Sequence, residues 1–599
     1  MPTKELVTPL ITEEDDEELA VEINDKLTLS ETNRSDINFD DNVKTWKEYY
    51  AGTSKATDDR IAQGRSGLMP PWPATAVDNL VARFMLTIFG KKPYFASEPL
   101  NKKSEQSSKI NNDVLLWQQS RASFLWNIHR AIQSAATTGL GILKTGWDVE
   151  ADNVLVENWD PLYFYYNPDC EDITKLRWCI FQSWHLKSDL QAQSDAFEET
   201  TGEPLYNNLD DLAAAALPGT RANQFTAKEK EELVEVWEYW DKDRRILIGN
   251  EVTVILKTEN PTKVKNEPGF IPAIIIPLIP KLDGIMSTSE IEAIEDYVSE
   301  LATIKNQRMD NVNLILNPVW IRNTNVEITN EDELHQLRPG LQIMVEADTT
   351  VDLTTVLKVL EMPHVTSESY VEGNEIKQDI KDRLSLFDYA RGMQPTQRET
   401  ASGITAIQQA GGTIIRYKLL LALRTGFTSL LSQMTRWNQK YLPKTTMLNV
   451  GANEAGITQY RTIKNTKVLE GDFQFKEMIS ALDAEASKEF KRGQLLEVLR
   501  IVGQIAPYLT QDQEKMNKFL SLILEQFDVP GLQEVFMGPE GGQAGQAGQG
   551  GSGLDALDNI RGAMMQEGMP RGASPQQPFT GRAQGGQRGA QVPQKVRIK

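Results

Sequence analysis

The feature that most constrains the fold is a pair of long, largely polar helical passages separated by a short β-like insert. The first runs from residue 287 to Pro318. Ser287 and Glu290 have the spacing of a capping box, in which the pair satisfies orphan N–H groups at a helix start. Ile291, Ile294, Val298 and Leu301 recur at three-four spacing and share one face, while Glu292, Glu295, Asp296 and Glu300 lie elsewhere around the helix. Asn317-Pro318 ends the passage, because a residue before proline is pushed out of the α region. At 1.5 Å per residue the helix would be about 40–45 Å long. It is too polar for a membrane span, and it reads as a strut. The second passage, 365–387, repeats the capping signal at Ser369 and Glu372. It carries a looser apolar stripe of Tyr370, Ile376, Ile380, Leu384 and Phe387. Between them, 319–363 holds a β-like run (Val319, Trp320, Ile321, Arg322), an R-P-G turn before the apolar run 341–345, and a short apolar helix expected near 353–360. The pattern predicts a small α/β module on two helical legs.

Residues 388–400 are rich in breakers and carry Arg391, Gln394, Gln397 and Arg398, the signature of an exposed loop. A long helix follows. Its second half is periodic through Leu420, Leu423, Phe427, Leu430, Met434, Trp437 and Tyr441, and Pro443 ends it. That stripe reads first as a core face. Gly411-Gly412 lies inside this helix, where each glycine costs about 1 kcal/mol relative to alanine, so a kink is expected there.

This order of strut, insert, strut, Gln/Arg loop and kinked helix resembles the portal (head–tail connector) proteins of tailed double-stranded-DNA bacteriophages. So do the strings K-L-D-G-I-M-S-T-S-E-I, N-Q-R-M-D-N-V, L-R-P-G and R-E-T-A-S-G-I-T. The resemblance spans roughly 40–530. It implies an α+β, mainly helical, ring-forming portal fold with wing, stem, clip and crown regions. Residues 1–40 would be an acidic, partly disordered segment, 41–286 a wing of helices and antiparallel strands, 287–316 the first stem helix and 317–363 the clip. Residues 364–387 would be the second stem helix, 388–482 the tunnel loop, kinked wing helix and returning wing strands, 483–537 a helical crown, and 538–599 a flexible Gly/Gln-rich basic tail.

The resemblance further implies a dodecameric ring at one capsid vertex of the virion, assembled in the host cytoplasm, with double-stranded DNA passing through a central channel. Its partners would be copies of itself, the terminase large subunit, tail or adaptor proteins, and the major capsid and scaffolding proteins. Arg391, Gln394, Gln397 and Arg398 would form the tunnel loop against DNA. Val319, Trp320, Ile321 and Arg322 would serve the clip, in subunit contacts or in docking terminase and adaptor. Lys305, Arg308, Lys377 and Lys381 admit two readings: basic rings along the channel, or pairing between subunits and with neighbours such as Glu375 and Asp382. An oligomeric scaffold or membrane-surface coat protein with coiled-coil legs is the alternative from another class.

Composition sets the outer bounds. A chain of 599 residues is too long for one hydrophobic core. A net charge of −21 argues against a free nucleic-acid binder, yet suits an acidic bore in which phosphates do not stick. Two cysteines, Cys170 and Cys179, match neither a zinc pattern nor a disulfide framework and point to a reducing compartment. The start of the chain is polar, so no signal peptide is expected. The apolar stretch 270–280 is broken by three prolines and cannot span a bilayer; a buried connector is expected. After residue 567 the tail has only basic charges, which reads as a solvated tail or as an arm touching DNA.

Elsewhere, helices are expected at 41–53, 76–89, 106–138 and 187–194, with hairpins over 141–158 and 233–257. Short strands are expected over 446–475, and two amphipathic helices at 480–508 and 511–527. No constellation supports catalysis. Gly90-Lys91-Lys92 lacks the rest of a phosphate-binding loop, and Gly139-Leu140-Gly141 lacks the third glycine of a dinucleotide site. His129, His185, His335 and His364 have no ligand spacing, so no metal or cofactor is expected. Asp210-Asp211 reads as a solvated turn. Asp310, Asp379 and Asp382 have no nucleophile beside them, so a non-enzymatic role is expected.

Overall fold

The computed structural model describes residues 15–90, 95–149, 151–212, 214, 229–230, 232–263, 268–316, 366–384 and 413–443, with strand segments at 320–322, 327–328, 345–346, 357–359, 446–452, 458–463 and 473–477. The chain divides into two units, Met1–Leu482 and Asp483–Lys599, and every described residue lies in the first. The expected crown and tail, 483–599, the tunnel-loop residues Arg391, Gln394, Gln397 and Arg398, and Val319 fall outside the described residues. The chain mixes helices with several sheets, in keeping with an α+β class.

Helices α1 (Asp16–Asp36), α2 (Phe39–Ala51), α3 (Lys55–Ala62) and α4 (Trp72–Phe89) lead into strand β1 (Phe95–Pro99). Then come α5 (Glu105–Gln119), α6 (Ala122–Thr138), and the hairpin β2 (Gly141–Asp148) and β3 (Asn153–Trp159). β2 also pairs with β9 (Ala273–Ile276), giving an antiparallel sheet of order β3-β2-β9. The expected apolar connector at 270–280 is therefore partly a strand. A second sheet is an antiparallel meander of β4 (Phe164–Tyr166), β5 (Trp178–Leu186), β6 (Leu233–Asp241), β7 (Arg244–Gly249) and β8 (Thr253–Glu259), with α7 (Lys187–Thr201) between β5 and β6. The two-stranded hairpin expected over 233–257 is instead three strands, β6, β7 and β8. Asn250 and Glu251 take positive φ, 51° and 66°, and turn the chain back.

Both faces of the meander are covered, so apolar residues from both faces of its strands are buried. Along β6, Trp237 and Tyr239 enter one cluster, and Val234 and Val236 another. The two-residue period of a strand sends them to opposite faces. α1 covers the first face with Leu19, Ala20, Ile23 and Leu27. Within the segment expected to be partly disordered, 1–40, residues 16–36 form an ordered helix. The segment is acidic, but its apolar residues sit at helical spacing and bury against the sheet. Arg34 locks the end of α1. Its guanidinium, 4% exposed, donates to the carbonyls of Phe164 (3.1 Å) and Leu162 (3.0 Å) and lies 4.4 Å over the Tyr165 ring.

The main core joins α4, α5 and α6 to the three-stranded sheet and to the C-terminal helix. Gly139 closes α6 in the left-handed region, with φ 78°, and a Cβ there would come within 2.0 Å of the Ser287 carbonyl oxygen. A Cβ on Gly141 would meet the Ala131 carbonyl oxygen at 2.4 Å. This glycine pair serves close packing. The C-terminal helix, the last among the described residues, comprises α10 (Thr413–Ala422) and α11 (Thr428–Tyr441), joined by a π-turn at Leu423–Phe427. The extra residue in that turn shifts the inward face. Leu419 is buried and Leu420 is 39% exposed, whereas Leu423, Phe427, Leu430, Met434, Trp437 and Tyr441 are buried as their spacing predicts. The expected kink site, Gly411-Gly412, lies outside the described residues. A buried polar ladder ties α5 to α11: Gln118 and Asn438 exchange bonds of 2.8 and 2.9 Å, and Asn111 donates to Thr435 at 3.3 Å.

The two sheets are linked by a buried charge cluster. Glu238 of β6 pairs with Lys144 of β2 and with Arg245 of β7, the latter at 2.9 Å. Burial raises the Glu238 pKa, but Lys144 and Arg245 outweigh it and hold the carboxyl at about 2. A carboxyl depressed from 4.5 supplies stability that is complete above pH 4.5 and lost as pH falls toward 2. Thermal unfolding across that window should show a falling midpoint, and the fall should be shallower in Glu238→Gln.

Candidate functional site

The candidate site is the pair of helices α8 (Glu295–Leu316) and α9 (Thr366–Arg383), with the body residues that clamp them. β10 (Ile279–Pro280) and β11 (Ser287–Thr288) form a small ladder immediately before α8. The start of the first helix differs from expectation. Of the two overlapping Ser-x-x-Glu patterns in S-T-S-E-I-E, the working pair is Ser289 and Glu292. The Glu292 amide donates to the Ser289 hydroxyl at 2.8 Å, and the Ser289 amide donates to the Glu292 carboxylate at 3.3 Å. Ser287 instead lies in β11, where its hydroxyl accepts from the Leu278 amide at 3.1 Å. A 3-10 turn at Glu292–Ile294 precedes α8, whose 22 residues span about 33 Å, shorter than expected. Ser369 likewise lies inside α9 rather than capping it, since the helix begins at Thr366.

The helices run antiparallel: Leu301 meets Gly373, and the Arg308 guanidinium sits 4.2 Å over the Tyr370 ring. Ile294, Val298 and Leu301 pack with Ile376, Ile380 and Leu384, and Ala76 of α4 joins them. The predicted stripes thus meet each other, except that Ile291 packs in the main core and Tyr370 is 56% exposed. Phe387 lies outside the described residues.

The acids of α8 hold the leg to the body. Glu290, just before the helix, is buried and paired with the buried Lys418 of α10. Glu292 pairs with Lys281 at 2.6 Å, and Glu295 accepts from the Trp46 indole at 2.8 Å. Farther along, Asn306 is 1% exposed. Its side chain accepts from the Leu68 amide at 2.6 Å and donates to the Leu68 carbonyl at 3.0 Å. Asp310 accepts from Arg60 at 2.5 Å and from the Ser66 amide at 2.7 Å. Asp310 is therefore a structural anchor for the loop between α3 and α4, whereas Asp379 and Asp382 lie exposed on α9. The sequence carries no local sign of the Glu295, Asn306 and Asp310 contacts, because their partners are more than 200 residues away.

Of the basic residues singled out on the legs, Lys305, Arg308 and Lys377 converge on one cleft beside Trp72. Lys381 is half-buried on α9 and is not among that cleft's lining residues. In the insert, β12 (Trp320–Arg322) pairs with β15 (Leu357–Val359), with Trp320 opposite Val359 and Ile321 opposite Lys358. β13 (Glu327–Ile328) pairs with β14 (Val345–Glu346). The short helix expected near 353–360 is thus contradicted at 357–359. A run of apolar residues that short fits either element, and here pairing with β12 decides for a strand. β16 (Thr446–Ala452) pairs with β17 (Thr458–Ile463), and β18 (Phe473–Glu477) pairs with β1.

Among the described residues, no group of three or more His, Cys, Asp or Glu side chains is placed to hold a metal ion. Among them, too, no helix is long and apolar enough to cross a membrane. Asp210 and Asp211 sit in a one-turn 3-10 helix.

The phage SU10 portal protein family model matches residues 148–540. No curated protein matches the chain.

Two substitutions test the clamp. Glu290→Gln leaves Lys418 buried without its counter-charge and should cost about 3–5 kcal/mol in denaturant unfolding, whereas Glu290→Leu with Lys418→Met should cost much less. Asn306→Ala should speed hydrogen exchange at the Leu68 amide with little change in the exchange of the α11 core.

Proposed function

The chain belongs to the phage portal protein family, a homo-oligomeric ring component of the capsid vertex, and from that premise we propose how its parts serve the passage of DNA. α8 and α9 are the stem, residues 317–363 the clip, and 388–400 the tunnel loop at the narrowest part of the bore. Residues 483–537 are the crown. Arg391, Gln394, Gln397 and Arg398 touch the phosphates of double-stranded DNA as it enters during packaging and leaves during ejection. The subunit is structural. ATP hydrolysis belongs to the terminase large subunit, which docks on the clip during packaging and gives way to tail or adaptor proteins. The ring is a dodecamer, contacting the major capsid protein and, during assembly in the host cytoplasm, scaffolding proteins.

The observation that carries this reading is the clamped antiparallel pair leading to the small insert, inside the span of the family match. The insert's ladders support a docking role. Each described pairing there has only two strands, and an isolated two-stranded unit is marginal in water. Edges of Trp320, Ile321 and Arg322 are thus suited to add a strand from a neighbour or a docked protein. For Lys305, Arg308 and Lys377 the shared cleft favours pairing between subunits over rings along the channel.

Negative-stain class averages of the purified full chain should show rings with a central hole; rods or monomers would sink the reading. Deleting 319–363 should abolish ring assembly or motor docking, and a deletion ring that still packages DNA would refute the role given to the insert.

A further inference from the structure

The cleft between α8, α9 and the start of α4 has a volume of about 290 Å³. Three cations line it, Lys305, Arg308 and Lys377, among the apolar groups Pro71, Trp72 and Tyr370. Among the described residues none of the three makes an ion pair. Lys377 donates to Asn374 at 3.1 Å, and Arg308 rests on the Tyr370 ring. Gathering like charges in one concavity is unfavourable unless a counter-charge arrives. In a chain of net charge −21, that counter-charge is close at hand.

The opposite flank of α9 supplies it. Glu368, Glu372, Glu375, Asp379 and Asp382 recur at alternating spacings of four and three, and all are exposed. That spacing makes one continuous row on a helix. Among the described residues none of these five acids makes an ion pair, and Val371, 62% exposed, stands within the row. With 3.6 residues per turn, the row lies roughly half a turn from Lys377.

We propose that the acidic row of α9 in one copy of this chain seats in the cationic cleft of the next copy. The row's carboxylates would meet Lys305 and Lys377, and one would engage the Arg308 fork. Val371 would face Trp72 and Pro71. Donor and acceptor surfaces lie on opposite sides of one helix, so the contact is heterologous and repeats from copy to copy, the arrangement that closes rings. Duplex DNA is the weaker candidate for the cleft. Its phosphates would meet apolar walls there and an unneutralised acidic row on the same helix. The inference rests on the ring reading above and names the contact that holds the stems side by side.

The test uses the full chain, with assembly followed by mass photometry and negative-stain microscopy over a concentration series. Lys305→Glu with Lys377→Glu reverses the cleft; Glu372→Lys with Asp379→Lys reverses the row. Each pair alone should raise the concentration of half-assembly about tenfold or more, since like charges then face each other. Circular dichroism should show both still folded, because Lys305 is only half-buried and the other three positions are exposed. An equimolar mixture of the two variants, or one chain carrying all four changes, should regain rings. Rings indifferent to either reversal, or no recovery in the mixture, would overturn the inference. Cleft-reversed rings that assemble normally but retain less duplex DNA would assign the cleft to phosphate and overturn it too. A wild-type chain that never forms rings would instead bring down the ring reading itself.

Discussion

A slender pair of helices cannot set its own direction in water, and the rest of this structure depends on how the pair is clamped at its base. The apolar stripe between α8 and α9 is narrow, limited to Ile294, Val298, Leu301, Ile376, Ile380 and Leu384 with Ala76 beneath. Such a stripe holds two helices together but leaves their tilt free. Tilt is fixed by directional contacts at several heights. The buried Glu290–Lys418 pair acts at the root, Glu292–Lys281 and Glu295–Trp46 just above it, and Asn306 and Asp310 about three and four turns further on. A buried ion pair contributes little net stability against an apolar replacement, but it tolerates few alternative geometries. Its place where the first leg meets α10 suits a part whose direction matters more than its strength.

The body provides a base stiff enough for those contacts to mean something. The meander is covered on one face by α1 and on the other by the residues around α7 and the second sheet. The Lys144–Glu238–Arg245 cluster bridges the sheets at the point where apolar packing alone would let them slide. The Gln118–Asn438 exchange does the same between α5 and α11, since a buried amide pair has one satisfactory register. Charge on the two legs is organised differently, with Glu295 and Asp310 of α8 bound to the body and an exposed acidic row along α9. That division gives each leg one side that faces its own body and another available to a neighbour.

Much of this was legible in the residues. The order of strut, insert, strut and long helix, the inward stripe from Leu423 to Tyr441, the β2–β3 hairpin and the paired stripes of the legs all follow from periodicity. They are local signals that packing did not override. The misses have physical causes. The helix at 16–36 was hidden by its charge, although Leu19, Ile23 and Leu27 carry its period. Two overlapping Ser-x-x-Glu patterns compete at 287–292, and the tertiary structure leaves the cap to Ser289 by placing Ser287 in β11 and pairing the buried Glu290 with Lys418. The turn at Asn250 and Glu251 uses positive φ at residues other than glycine, which weakens its signature in sequence. The π-turn at Leu423–Phe427 leaves the apolar spacing downstream intact and shows only in the exposure of Leu420.

Of the candidate site, the sequence placed the basic residues on the legs but could not say that Lys305, Arg308 and Lys377 share one concavity with Trp72. That convergence joins three segments far apart in the chain. By itself the sequence determined which stretches are helical or extended, where the charge lies, and which family the order of parts resembles, because these depend on neighbours a few residues away. Only the tertiary structure decided which acids are anchors and which stay exposed, where the first leg begins, and which surfaces lie on opposite sides of α9. Those are questions of long-range pairing, and a side chain's local pattern is the same whether its partner is water, a distant arginine or another copy of the chain.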